Sequence, residues 1–127
     1  MKLLGIDFGT KRIGLAISDE TLTLARELQI ISPDKIFLEL EKIIAEEEVT
    51  GIVLGHPLNM SGQASKKTEE VLEFKLQLEA KLGLPVYLAD ERLSSVMAEN
   101  LPGGHRDVDS LAAQIILQNY LDKTKAN

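Results

Sequence analysis

A mixed α/β sheet flanked by helices is the fold this chain predicts, on three observations. Three strand-like segments fill its first 31 residues and are joined by short turns, which makes an antiparallel meander. From Ser32 onward helical and strand-like segments alternate, and strands joined through helices pair in parallel. The opening strand is a near-continuous apolar run bounded by glycines, as expected of a central strand covered on both faces.

Each element has a local reason. Leu3, Leu4, Ile6 and Phe8 make Lys2 to Phe8 the first strand, Gly9-Thr10-Lys11 turns the chain, and Arg12 to Ser18 runs straight back. Thr21 to Ile31 reads as the third strand, where Leu28 and Ile30 alternate with Glu27 and Gln29 as on a half-exposed edge. Ser32-Pro33-Asp34 is a helix start, with Ser at the cap, Pro at the first helical position and an acid at the positive end of the dipole. Ile36, Leu40, Ile43 and Ile44 share one face of that helix, which closes on the solvated run Glu46-Glu47-Glu48.

Gly51 to Gly55 is a compact buried strand. A second helix spans about Ala64 to Leu82, with Val71, Phe74, Leu78 and Leu82 inward, Lys66, Lys67, Glu69 and Glu70 outward, and Gly83 as its cap. Pro85 to Ala89 is the fifth strand and delivers Asp90-Glu91-Arg92 at its end. Ser94, Ser95 and Ala98 suggest a short helix broken by Pro102-Gly103-Gly104. Val108 to Leu121, apolar nearly all round, is a buried last helix.

Composition narrows the function classes. The 127 residues form one domain, 1–127, of ordinary globular make-up, 44% hydrophobic and 27% charged. There is no cysteine, hence no disulfide frame, thiolate metal site or catalytic thiol, which suits a reducing cytoplasmic setting. The start M-K-L-L-G lacks the apolar run of a signal peptide, and no stretch approaches a membrane span, so no membrane partner is expected. A formal net charge of −6 speaks against a general nucleic-acid binder, which is normally basic.

The chemistry centres on Asp7. A carboxylate inside a core strand is costly without a partner or a metal. Sites in open sheets lie beyond the carboxyl ends of strands, where Asp7, His56 and Glu91 all fall, and Asp109 joins them if the last helix packs across the sheet. Converging carboxylates repel, a divalent cation removes the conflict, and oxygen ligands select Mg²⁺ or Mn²⁺ over zinc. Two such ions ~4 Å apart activate a water and stabilise the leaving oxygen of a phosphodiester. Plainer roles exist for each residue: a buried hydrogen-bonded acid for Asp7, an ion pair with Arg92 for Glu91, a first-turn acid for Asp109 and a loop hydrogen-bonder for His56.

Four segments carry a family resemblance. G-I-D-F-G-T-K-R-I-G-L-A-I-S-D at 5–19, G-H-P-L-N-M-S-G at 55–62, D-E-R-L-S-S at 90–95 and V-D-S-L-A-A-Q-I-I-L-Q-N-Y-L-D at 108–122 resemble, in order, the motifs of the YqgF/RuvX family. That family comprises Holliday-junction-resolvase-like nucleases linked to maturation of the 16S ribosomal RNA precursor. The resemblance implies a ribonuclease-H-like fold and a metal-dependent phosphodiesterase. Its acids map to Asp7, Glu91 and Asp109, and Arg12 and Arg92 map to positions expected to face the nucleic-acid backbone, as phosphate contacts or local structural props.

The chain departs from the family pattern in two places. The usually basic loop before the last helix is short and offers Arg106 and His105, and Gly62-Gln63-Ala64-Ser65 lacks a second glycine. Lys11, Arg12, Lys66, Lys67, Arg92 and Arg106 form a basic rim if the fold clusters them. The expected partner is therefore nucleic acid, either pre-rRNA or branched DNA, with the protein a monomer or a homodimer. A non-catalytic RNA-binding module for ribosome assembly is the rival outside enzymes. I-D-F-G-T also resembles the first phosphate loop of actin-like and sugar-kinase ATPases, which need two lobes and a second loop that 127 residues do not supply.

Overall fold

A computed structural model describes residues 1–56, 66–90 and 108–125, with the side chains of residues 90, 108–110 and 125 outside that description. Its strands are β1 (Lys2–Asp7), β2 (Ile13–Ser18), β3 (Ala25–Ile31), β4 (Val49–His56) and β5 (Val86–Asp90), and its helices are α1 (Ile36–Glu47), α2 (Lys66–Leu82) and α3 (Val108–Lys125). Among the described residues the strands form one five-stranded sheet in the order β3-β2-β1-β4-β5. β1, β2 and β3 pair antiparallel, and β4 and β5 add in parallel through the helical crossovers. The expected mixed sheet, with β3 at an edge, is the observed one.

Strand alternation assigns every side chain to one of two faces. Leu4 and Ile6 of β1 join Ile13, Leu15 and Ile17 of β2, Ile52 and Leu54 of β4, and the inner faces of α1 and α2. Leu3 joins Ala16, Ala25 and Val53 with Ala113, Ile116, Leu117 and Leu121 of α3. Helices α1 and α2 thus cover one face of the sheet, and α3 covers the other.

Helix α3 lies unusually close to β1. A Cβ on Gly5 would stand 2.8 Å from the Leu117 Cβ and 3.2 Å from the Ala113 carbonyl oxygen, so only glycine admits the helix at this depth. Side-chain amides fix its direction. Gln114 donates to the Ala25 carbonyl (3.1 Å), and one turn later Gln118 accepts from the Ala25 N–H (2.8 Å) and donates to the Thr23 carbonyl (2.9 Å). Because Ala25 pairs with Ser18, at the end of the sheet where β1 begins, α3 runs toward that end. Its first turn therefore sits at the opposite edge, where β1 finishes.

Some boundaries differ from expectation, each for a local reason. Residues 21–24 do not continue β3. The Asp19 carboxylate accepts from the Thr23 N–H (2.8 Å), the Leu24 N–H (3.2 Å) and the Thr21 hydroxyl (2.8 Å), while Leu22 takes a left-handed φ of 57°. This local ring competes successfully with the sheet ladder. Pro33–Lys35 forms a 3₁₀ turn ahead of α1, and the Ser32 side chain makes no capping bond. Glu47 is no free solvated acid but half-buried between Lys2 (3.5 Å) and Arg26 (3.6 Å). α3 extends to Lys125 and is buried on one side, not all round. Gly83 ends α2 as expected, at φ +68° with its N–H on the Glu79 carbonyl (3.1 Å). The expected short helix near Ser94, Ser95 and Ala98 and the turn Pro102-Gly103-Gly104 lie outside the described residues.

This packing makes two outcomes testable. Gly5→Ala should destabilise the fold by about 1–3 kcal/mol in urea titration, because a methyl group there meets the Leu117 Cβ and the Ala113 carbonyl oxygen, neither of them a pliable side-chain tip. The Thr23 amide above all, then the Thr21 hydroxyl, holds the Asp19 carboxyl below its usual 3.8. The loop's carboxylate bonds are thus complete above that value and are lost as pH falls through the lowered one. The Thr23 and Leu24 amide resonances should titrate together, with a midpoint below 3.8.

Candidate functional site

Asp7 is the last residue of β1 and is half-buried. Alternation from Leu3 and Gly5 puts it on the α3 face of the sheet. Its cross-strand partner on β2 is Gly14, and one position beyond the Ile6–Leu54 pair on β4 lies Gly55. Both neighbouring strands thus present glycine beside the carboxylate, and neither contributes a side chain to crowd it. Sequence reasoning missed these two glycines, although their two-residue phase with the strand cores is visible in G-L-A-I-S and G-I-V-L-G.

The elements next to the other expected acids meet the same edge: β5 ends there and α3 begins there. β5 ends at Asp90, and Glu91 follows it outside the described residues. Ala89, two positions before Glu91, packs on the α3 side of the sheet. Asp109 belongs to the first turn of α3, four residues ahead of Ala113, and its side chain is not described. Among the described residues no group of three potential ligands is assembled. His56 ends β4 two residues beyond Leu54, which belongs to the α1–α2 core, so alternation sends it to the face away from Asp7. The structure does not bring His56 to that carboxylate.

The expected basic rim is partly gathered. The turn after β1 and the first residues of α2 border a cleft of about 470 Å³, lined among the described residues by Gly9, Thr10, Lys11, Arg12, Lys66, Lys67 and Glu70. Four cationic side chains and one carboxylate share it, in a protein whose formal net charge is −6. Gly9 shapes this turn, because a Cβ there would fall 2.4 Å from the Arg12 carbonyl oxygen. Lys66 and Lys67, which periodicity marks only as outward-facing, are thereby brought to Lys11 and Arg12. Arg92 and Arg106 lie outside the described residues.

Such an arrangement suits a polyanion. Long cationic side chains of this kind can contact the phosphate oxygens of a nucleic-acid backbone.

Comparison with known proteins bears on the family and the fold. The family model described as "RuvX: Holliday junction resolvase" matches residues 1–123. A Maridesulfovibrio salexigens protein named "Putative pre-16S rRNA nuclease" is 42% identical, over 95% of this chain and 98% of the relative. An Agathobacter rectalis protein of the same name is 41% identical, over 96% and 95%. Among solved structures, Thermus thermophilus RuvC in complex with a Holliday junction substrate matches with a TM-score of 0.61 at 16% identity, covering 100% of this chain and 97% of that one. The Fowlpox virus resolvase bound to Holliday junction DNA matches with a TM-score of 0.54 at 12% identity, covering 98% and 99%. The two structures share the ribonuclease-H-like fold described above, and from its first residue to Lys123 the chain belongs to the RuvX family.

Proposed function

We propose that this chain is a divalent-metal-dependent nuclease that hydrolyses phosphodiester bonds, acting in the cytoplasm on the 5′ end of the 16S rRNA precursor. The observation that carries the reading is the position of Asp7. It stands at the carboxyl edge of the sheet between Gly14 and Gly55, at the edge where α3 begins and two residues ahead of the turn that lines a cleft of four cations. The relatives named for pre-16S rRNA supply the choice of substrate.

Asp7, Glu91 and Asp109 would hold Mg²⁺ or Mn²⁺, an all-oxygen set of the kind these hard cations prefer. The glycines beside Asp7 fit that role, because an ion and a phosphate need the space a neighbouring side chain would fill. When bound, the metal supplies Lewis-acid stabilisation of the phosphoryl oxygens and lowers the pKa of an attacking water. The protein's own contribution is positional. Lys11 and Arg12 bind the backbone at the turn that directly follows the Asp7 strand, and Arg92 and Arg106 extend the contact from the segments around Glu91 and before α3. Against a net negative surface, a local cationic cleft also orients an approaching polyanion, since other faces repel it.

A second reading, cleavage of branched DNA, is favoured by the family description and by the two resolvases that share the fold. Matched RNA and four-way DNA junction substrates with Mn²⁺ decide between them. The RNA-processing reading requires the precursor RNA to be cut and the junction to survive, and the reverse pattern overturns it.

Asp7→Asn and Asp109→Asn should each lower Mn²⁺-dependent cleavage by about a hundredfold or more, the scale on which loss of one charge-stabilising group acts, with melting temperature unchanged. Equal residual rates in wild type and both variants would leave the non-catalytic binding module as the better description. Chelation with EDTA should abolish cleavage, and added Mn²⁺ should restore it.

A further inference from the structure

The basic cleft does not end at its cations. Thr10 and Glu70 also line a second cavity of about 380 Å³, walled by Phe8, Phe37 and Phe74 and bordered by Glu73 and Gln77. Phe74 is the buried centre of the aromatic group. Its ring centroid lies 4.6 Å from that of Phe8 and 5.8 Å from that of Phe37. Phe8 follows Asp7 directly, yet alternation turns it to the α1–α2 face, where it packs against the core with Leu4 and Ile6. This cavity therefore adjoins the candidate cutting site from the opposite side of the sheet.

The two cavities have opposite chemistry and a common boundary. Cations dominate the first. The second combines aromatic walls with the carboxylates of Glu70 and Glu73 and the amide of Gln77. A phosphate is attracted by the first and repelled by the acids of the second. A nucleobase has the converse preference, since it stacks on aromatic rings and offers N–H donors to carboxylate and amide oxygens. We propose that together they form a site for one unpaired nucleotide, with its phosphate on Lys11, Arg12, Lys66 and Lys67 and its base in the Phe8–Phe37–Phe74 pocket. A single-stranded segment next to the cleavage point would be anchored this way, whereas a base held in a duplex is not free to enter. The inference rests on the nuclease reading for the identity of the polyanion, but its test is binding and needs no cleavage.

The chain contains no tryptophan, so Phe37→Trp introduces a single emitter at the pocket wall. In EDTA, a short single-stranded oligonucleotide should quench that emission, and inorganic phosphate, which occupies only the cationic cleft, should not. RNA and DNA versions of one sequence, titrated in parallel, distinguish the source of the nucleotide, and quenching by either supports the site. By anisotropy on the wild-type background, Lys66→Gln with Lys67→Gln should weaken single-strand binding and reduce the slope of log K against log salt by up to about 0.7, the contribution of the one phosphate that the two lysines help to hold. Phe37→Leu keeps the apolar volume and should weaken binding about tenfold with the salt slope unchanged, within the range measured for removal of one base–aromatic stack. Anisotropy showing tight binding while Trp emission stays constant and Phe37→Leu has no effect would overturn the pocket. An unaltered salt slope in the double lysine variant would overturn the cleft. Loss of cleavage in Asp7→Asn with this binding intact separates the nuclease reading from the nucleotide site.

Discussion

The close approach of α3 to β1 at Gly5 is the constraint on which the rest of the structure depends. A missing side chain lets Leu117 and the Ala113 carbonyl sit against the central strand. The helix is thereby held at a fixed height over the sheet, and the start of α3 is carried to the edge where Asp7 ends β1. Small residues continue the theme on that face, with Ala16 and Ala25 packing beneath the same helix. The opposite face is built from larger side chains, Ile13, Leu15, Ile17, Ile52 and Leu54 under α1 and α2. This asymmetry has a chemical result: one face is thin and brings helix backbone against the strand that ends in Asp7, and the other is thick and supplies aromatic walls.

Charge is arranged with the same economy. The protein as a whole is acidic, yet its cations at positions 11, 12, 66 and 67 meet at the end of β1. Acids elsewhere are tied up locally. Glu47 is shared by Lys2 and Arg26, Glu79 pairs with Lys75 at 3.0 Å, and Asp19 is enclosed by its own loop. Such ion pairs, part-buried but still reached by solvent, contribute only about 1 kcal/mol each to stability. Their larger effect is on where negative potential lies.

Most of the fold was readable from one-dimensional patterns. The apolar run of β1, the alternation of β3 and the spacing of Val71, Phe74 and Leu78 in α2 each encode an element through contacts made within a few residues. The mixed sheet followed from the order of those elements. Errors arose where a side chain outbid the regular backbone, as Asp19 does for the amides of Thr23 and Leu24, or where a charge found a distant partner, as Glu47 does in Lys2. Asp7 stood out because an acid in a core strand is expensive. The room beside it did not, since Gly14 and Gly55 become neighbours only once the strands are in register. Lys66 and Lys67 likewise read as ordinary solvated residues until the chain reversal at Gly9 is placed against α2. As for His56, counting residues from a strand end locates the edge of the sheet, but the face also depends on phase.

Gln114 and Gln118 do for the start of β3 what a sixth strand would do. Their amides occupy the Ala25 N–H and carbonyl on the side of the strand that, among the described residues, has no neighbour in the sheet. An uncovered ladder of that kind invites pairing with a second molecule. These glutamines follow all five described strands along the chain, so a nascent polypeptide keeps that adhesive border, and the apolar floor beneath α3, after the whole sheet has been synthesised. Protection against self-association therefore arrives later than the sheet itself, and a polypeptide cut short before the covering helix would be released with both surfaces bare.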